Sequence, residues 1–236
     1  MSIFKLDFLT RSGVAKTGGC ELLVRSGESI VFAGDSITDA GRTTGAAGEL
    51  GEGYVVMFHS LLLTLRPEVR LHVINEGVSG NTVLDLEARW SEVLAHEPDW
   101  LVVLVGINDY WRTRPESGQR GVSAEEFEDV YRRLLVQAEE QGAGLLLLEP
   151  FLVDRDVRGP DRQGLKPYSS AVAKLAAETG AVFVPLQIEF DRAMAVRPAE
   201  FWSEDRVHPT AAGHALIAGK LLTAFQCCQP FVSAEE

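Results

Sequence analysis

The sequence predicts an α/β fold, a three-layer α/β/α sandwich on a five-stranded parallel sheet in the order 2-1-3-4-5. Three observations carry this expectation. Short apolar runs alternate with longer segments of helical character from residue 29 onward, and that alternation means parallel strands joined by right-handed crossovers. The run Trp100-Leu-Val-Val-Leu-Val105 is apolar at every position, as a strand covered on both faces is. The length of 236 residues suffices for one sizeable domain and demands no second.

Taken in order, residues 1–28 carry little pattern and are expected to form an N-terminal extension packed on the domain, with one short strand at most. Residues 29–236 form the domain itself. Ser29 to Ala33 is the first strand and breaks at Gly34. A glycine-rich loop follows (Gly41, Gly45, Gly48, Gly51, Gly53). Its spacing matches neither G-x-G-x-x-G opening a helix nor G-x-x-x-x-G-K-[ST], so a mobile loop at the mouth of a site is expected rather than a nucleotide cradle. Tyr54 to Leu65 reads as a buried helix stopped before Pro67. Leu71 to Ile74 is the second strand, residues 75–81 a turn, and Thr82 with Asp85 a capping box for a helix reaching about Ala95.

After the third strand (100–105), Gly106 to Asp109 leads into an aromatic and basic loop, Tyr110-Trp111-Arg112. Ser123 and Glu126 cap a helix in which Phe127, Val130, Tyr131, Leu134, Leu135 and Ala138 recur at core-packing intervals. Leu145 to Leu148 is the fourth strand and Asp154 to Gly164 a charged surface loop. Pro167 to Thr179 is a helix closed by Gly180, and Ala181 to Val184 the fifth strand. A short helix covers Gln187 to Val196 and a loop Phe201 to Val207. His208-Pro209-Thr210 then opens the last helix, with Pro209 in its first turn. The arrangement is flavodoxin-like, without internal repeats.

Composition narrows the partners. A net charge of −12 disfavours nucleic acid and anionic membrane surfaces and suits a neutral or cationic small ligand. No apolar run approaches the length that spans a bilayer. Lys5, Asp7, Arg11 and Lys16 interrupt the stretch where a secretory signal is apolar. The three cysteines, Cys20, Cys227 and Cys228, fit neither a disulfide framework nor a zinc spacing. A cytoplasmic protein is expected, with no metal and no redox role for the vicinal thiols.

The chemistry gathers around Ala33-Gly34-Asp35-Ser36-Ile37-Thr38-Asp39-Ala40. A hydroxyl there lies at the C-terminal edge of the first strand, where open parallel sheets bind ligands. Ser36 is a candidate nucleophile if a base and oxyanion donors stand beside it; otherwise it caps a helix. With strands one to three adjacent, Gly80 after the second and Asn108 after the third face the same edge. The N–H groups of Ser36 and Gly80 and the Asn108 amide then make a three-donor oxyanion hole. Alone, Gly80 is a turn glycine and Asn108 an Asx-turn residue.

The base must be one of five histidines. His59 lies inside a buried helix, His72 in a strand away from the loop edge, His96 at a helix end and His214 within the last helix. His208 differs because Asp205, three residues earlier, can fix its tautomer and stabilise the imidazolium that forms. The alternative is a surface ion pair without function.

These residues resemble the SGNH, or GDSL-type, serine hydrolases. Gly34-Asp-Ser-Ile37, Asn75 to Thr82, Gly106-Ile-Asn-Asp109 and Asp205-Arg-Val-His-Pro209 are similar to that family's four blocks and stand in its order. The longer strings Gly34 to Arg42, Glu87-Ala-Arg-Trp90, Pro98-Asp-Trp100 and Gly106 to Arg112 resemble its intracellular acetyl xylan esterase branch. The resemblance implies catalytic Ser36, Asp205 and His208, an oxyanion hole of Ser36, Gly80 and Asn108, no cofactor, and a homo-oligomer. Its implied substrate is a small acetylated sugar or oligosaccharide. The chain departs from the pattern in its longer N-terminal extension and in Phe201-Trp202-Ser203-Glu204, which adds residues before Asp205. The pocket rim and the oligomer contacts are therefore where it is expected to differ.

The expected function is a serine esterase that removes acetyl groups from carbohydrates, such as acetylated xylo-oligosaccharides, through an acyl-enzyme. Asp35, Trp111, Arg112 and Trp202 are the candidate substrate-binding residues, whereas Trp90 reads as core. Two other readings stand beside it. A lysophospholipase- or thioesterase-type enzyme on lipid-like esters wants an exposed apolar channel, against which the polar loops 112–121 and 154–164 speak. A non-catalytic binding module of the same fold needs no activated serine at all.

Overall fold

The computed structural model describes residues 22–42 and 48–227. In chain order they form β1 (Ser29–Gly34), α1 (Ser36–Asp39), α2 (Tyr54–Leu65), β2 (His72–Gly77), α3 (Val83–Ala88), α4 (Trp90–Leu94), β3 (Trp100–Leu104) and α5 (Ile107–Arg112). There follow α6 (Ala124–Glu140), β4 (Gly144–Leu148), α7 (Pro160–Thr179), β5 (Val182–Val184), α8 (Leu186–Met194), α9 (Ala199–Trp202) and α10 (Ala211–Ala224). All strand pairs are parallel and the order is β2-β1-β3-β4-β5, as the apolar runs predict. Ile30 to Ala33 of β1, Leu101 to Leu104 of β3 and Leu145 to Leu148 of β4 are buried, because helices cover both faces. On the helical layers α2 packs against α10, and α6 against α3 and α7. Trp90 lies in this core and its Nε1 donates to the Leu134 carbonyl (3.1 Å).

Of the N-terminal extension, residues 22–28 are described. They form no strand, Val24 is buried, and the Leu23 N–H donates to the Phe225 carbonyl (3.3 Å), which lays the segment along the end of α10. Residues 43–47 of the glycine-rich loop, Cys20 and Cys228 lie outside the described residues, and Cys227 is buried. No helix among the described residues is long and apolar enough to cross a membrane.

Several elements differ from the sequence reading. β2 continues through Asn75 and Glu76, which the sequence assigned to a turn. Asn75 is tolerated in a strand because its amide donates to the carbonyls of Thr38 and Leu50. The single helix expected over residues 82–95 is broken into α3 and α4 at Arg89, whose guanidinium turns inward. Tyr110, Trp111 and Arg112 complete a helix rather than a loop. α7 begins at Pro160, a first-turn proline, and so takes in part of the expected charged loop. Its interior Pro167 costs one backbone hydrogen bond, but Leu165, Tyr168, Ala171, Val172 and Leu175 are buried around it. The last helix starts after Thr210, whose hydroxyl caps the Gly213 N–H. Pro209 therefore precedes the helix and sits in an isolated bridge with Ser203. α9 occupies the start of the loop expected over residues 201–207.

Candidate active site

Strand register brings three turns to one edge. Gly34 of β1 is paired with Gly77 of β2 on one side and with Leu104 of β3 on the other. Ser36, Gly80 and Asn108 each follow within four residues, so they share the C-terminal edge of the sheet. Gly34 must be glycine, since a Cβ there would lie 2.3 Å from the Leu104 carbonyl oxygen. Ser36 is the first residue of α1, and the N–H groups of a helix's first turn have no intrahelical acceptor. Asp35 caps that turn, its Oδ1 accepting from the Ile37 N–H (3.0 Å).

Gly80 sits at φ +83°, a conformation open to glycine but strained for other residues. The turn is held from several sides. Arg112 Nη2 donates to the Gly80 carbonyl (2.5 Å), and Asn108 Nδ2 donates to the Asn81 carbonyl (3.0 Å). Asp39 Oδ2 accepts from both the hydroxyl and the N–H of Ser79 (2.6 and 3.2 Å). Arg89 donates to Asn81 Oδ1 and to the carbonyls of Gly34 and Glu76. An arginine so placed, at the break between α3 and α4, ties β1, β2 and the Gly80 turn together.

Across the edge, His208 Nε2 lies 2.9 Å from Ser36 Oγ, and His208 Nδ1 lies 2.6 Å from Asp205 Oδ2. The two side chains are 54% and 55% exposed, so they stand open to a ligand. Asp205 is held by more than the ring: its Oδ1 accepts from the N–H groups of Val207 (2.9 Å) and His208 (2.7 Å) and from the Ser203 hydroxyl (3.2 Å). Burial alone would raise this carboxyl, but the bonds from the His208 ring and from the two backbone N–H groups outweigh it and hold it down at about 2. A carboxylate can only accept, so Nδ1 carries a proton, and in the neutral ring this leaves Nε2 to accept from the Ser36 hydroxyl. Such an arrangement can take a proton from Ser36 while two N–H groups and an amide wait at the same edge.

The remaining candidates stand as follows. Asp35 is fully buried, so it has no surface to offer a ligand and serves as the cap of α1. Burial pushes its carboxyl up to about 7, and its Oδ2 has no hydrogen-bond partner among the described residues. Arg112 is engaged with Gly80 and lies 3.4 Å from Asp85 Oδ2. Trp111 is half-buried beneath the Arg114 guanidinium, 4.2 Å from the ring centroid. Trp202 is half-buried, edge-on to Phe201. Burial pushes Asp109 up to about 7 as well; its Oδ1 accepts from the Val83 N–H (2.9 Å), tying α5 to α3. His214 is a core residue: its Nδ1 accepts from the Tyr54 N–H (3.1 Å), and burial followed by the nearby His208 pushes it down to about 4. Among the described residues no group of three or more His, Cys, Asp or Glu could hold a metal ion.

Sequence reasoning passed over Arg89 and Arg206. Both lie inside the quoted strings Glu87-Ala-Arg-Trp90 and Asp205-Arg-Val-His-Pro209, but a lone arginine carries no signal of which carbonyls or carboxylates it will reach.

Comparison with known proteins points the same way as the geometry. Residues 32–216 match the model of the GDSL-like Lipase/Acylhydrolase family. The chain is 38% identical over 206 residues to an acetylxylan esterase of Geobacillus stearothermophilus, covering 84% of this chain and 94% of that one. A crystal structure of an acetylxylan esterase from that organism superposes with a TM-score of 0.81 at 37% identity, over 85% of this chain and 95% of that one. An alpha/beta hydrolase enzyme from the metagenome of Lake Arreo, Spain, gives a TM-score of 0.83 at 35% identity, over 88% and 99%. Solved variants of the Geobacillus esterase described as catalytic mutants replace a serine, an aspartate or a histidine by alanine. The chain belongs to the GDSL-like lipase/acylhydrolase family.

Proposed function

We propose that this protein is a serine esterase that removes acetyl groups from carbohydrates, with acetylated xylo-oligosaccharides as the leading substrate class. The observation that carries the reading is the line Ser36 Oγ to His208 Nε2 (2.9 Å) and His208 Nδ1 to Asp205 Oδ2 (2.6 Å). His208 takes the proton of Ser36 as its oxygen attacks the acetyl carbonyl. The oxyanion that forms is held by the N–H groups of Ser36 and Gly80 and by the Asn108 side chain. Asp205 stays ionised while the imidazolium exists and stabilises it. The sugar alkoxide leaves with the proton from His208, and water, activated by the same base, releases acetate from the acyl-enzyme.

The carbohydrate part of the reading is supported by the Geobacillus relatives, which are acetylxylan esterases, and by the rim beside the site. Two charged groups, the Arg114 and Arg206 guanidiniums, stand 4.2 and 6.0 Å from the Trp111 ring, which follows Asn108 on α5, and such a polar aromatic cluster suits a sugar better than an acyl chain. The reading includes a homo-oligomer acting in the cytoplasm, which the family resemblance supports and which sedimentation and cell fractionation check. The functional test is acetate release from acetylated xylo-oligosaccharides beside other acetylated sugars and p-nitrophenyl octanoate. Release from the xylo-oligosaccharides that disappears in Ser36→Ala supports the reading, and a preference for the octanoate rejects it.

A further inference from the structure

Arg206 stands between Asp205 and His208 in a left-handed backbone conformation, φ +74°, which costs a residue with a Cβ about 1 kcal/mol or more. Such a turn persists only where its surroundings hold it. The bonds within the segment 203–208 run among its own members, so they shape the loop without saying where it sits. Its first residue is tied to α9 by the Ser203 N–H on the Ala199 carbonyl (2.9 Å) and to Pro209 by the isolated bridge, and Val207 packs on the core. The tie from its middle to the segment after β4 and to α7 is Arg206. Its carbonyl accepts from the Val153 N–H (2.9 Å), and its Nη1 donates to Asp154 Oδ2 (2.8 Å) and Asp161 Oδ2 (3.1 Å). The guanidinium also stands 6.0 Å from the ring centroid of Trp111.

Both carboxylates are themselves held in place. Asp161 Oδ1 accepts from the Tyr110 hydroxyl (3.0 Å) and lies 3.4 Å from Arg114 Nη1. The Asp154 carbonyl accepts from Arg162 Nη1 (2.8 Å), and Arg162 makes a two-pronged pair with Asp191 (2.8 and 2.9 Å). The side chains of Asp154 and Asp161 are only 19% and 15% exposed while that of Arg206 is 44% exposed, so these contacts are shielded on the carboxylate side and open to water on the other.

We propose that Arg206 is a positioning residue: its two carboxylate contacts clamp the Asp205–His208 loop against the segment after β4 and the first turn of α7, and so hold the imidazole at hydrogen-bonding distance from Ser36. The proposal rests on His208 being the base. Its physical content is that a base displaced by about 1 Å loses about a hundredfold in rate, while substrate binding elsewhere is untouched.

The test compares the parent with Arg206→Ala, Arg206→Gly, Arg206→Lys and Asp154→Asn on p-nitrophenyl acetate. Melting temperature and the rate of fluorophosphonate labelling of Ser36 are read alongside. Arg206→Ala and Arg206→Gly are expected to lose about ten- to a hundredfold in kcat at nearly unchanged KM, and to label more slowly by a similar factor. Arg206→Lys, which still reaches one carboxylate, recovers part of the rate. Asp154→Asn loses less than Arg206→Ala, and joining the two adds less than the sum of their separate effects, because both break one contact. Where Arg206→Ala does not fold, the conservative Arg206→Lys and Asp154→Asn carry the comparison. An Arg206→Gly enzyme as fast as the parent overturns the clamp, since the relaxed turn alone then places the loop. So does an activity loss that tracks melting temperature with labelling unchanged. His208→Ala separates the two levels. If that variant still labels and turns over, the assigned base is wrong and the clamp falls with it; if it is inert while Arg206→Ala matches the parent, only the clamp is wrong.

Discussion

Arg112 donates through Nη2 to the carbonyl of Gly80 at 2.5 Å, so its guanidinium holds the backbone of the proposed oxyanion hole. A carbonyl fixed in this way fixes ψ of the residue whose N–H is to meet the oxyanion, and a pre-set donor needs no reorganisation during the reaction. Arg112→Ala is therefore expected to lower kcat about tenfold or more with KM close to the parent's, while Arg112→Lys, which keeps one donor but not the fork, falls between. Steady-state kinetics on p-nitrophenyl acetate and on an acetylated xylo-oligosaccharide check this. A raised KM on the sugar with kcat intact would instead make Arg112 a substrate ligand.

Asn108 offers an amide nitrogen with two hydrogens, and one bond from it, to the Asn81 carbonyl at 3.0 Å, sets its orientation. That leaves the second hydrogen to serve an oxyanion. Asn108→Ala is expected to fold with near-parental melting temperature and to lose about 10² to 10³ in kcat. Circular dichroism and p-nitrophenyl acetate turnover decide it, and parental turnover rules the donor role out.

Much of this was legible in the chain. Apolar runs such as Leu101 to Leu104 are buried on both sides, so their sequence states their place in the sheet; given the strand order, the turns after β1, β2 and β3 have to meet. The Asp205–His208 pair was legible because both partners lie three residues apart on one loop. What escaped was set by contacts between distant residues. Nothing local says that Arg89 will stand at a helix break and reach the carbonyls of Gly34 and Glu76. Nothing in the run Tyr110-Trp111-Arg112 says that it closes a helix whose last residue grips Gly80. Asp35, a candidate substrate-binding residue by sequence, caps α1 instead, and that role turns its carboxyl into the core.

The rim suggests a size limit on the acyl group. Trp111 and Trp202 are both half-buried against the core, and a rigid indole cannot yield to extra methylenes without strain. Rates are expected to fall in the order acetate, butyrate, octanoate for a series of p-nitrophenyl esters, with Trp111→Ala and Trp202→Ala flattening the series. An unchanged series in both variants would mean that neither indole borders the acyl group.

Three buried titratable groups make large contributions to how stability follows pH, and their signs differ. Asp35 and Asp109 are each raised from 3.8 to about 7 by burial. The folded chain thus keeps protons that the unfolded chain releases, and this contribution is complete below 3.8 and lost as pH rises through about 7. His214 is lowered from 6.5 to about 4, first by burial and then by His208. Its neutral form is favoured by folding, so its contribution is present above 6.5 and lost as pH falls through about 4, at a cost of about 3 kcal/mol. Between pH 4 and 6.5 two carboxyls oppose one imidazole, and the net effect is a melting temperature that rises as pH falls from 8 toward 5. Asp35→Asn keeps an acceptor for the Ile37 N–H without an ionisable proton, and is expected to remove part of the loss that the parent suffers as pH rises from about 4 to 7. Melting curves of the parent and of Asp35→Asn across pH 4 to 9 check this: a parent that melts lower at pH 5.5 than at 8, or a variant with the parent's slope, would mean that these carboxyls are ionised in the folded protein.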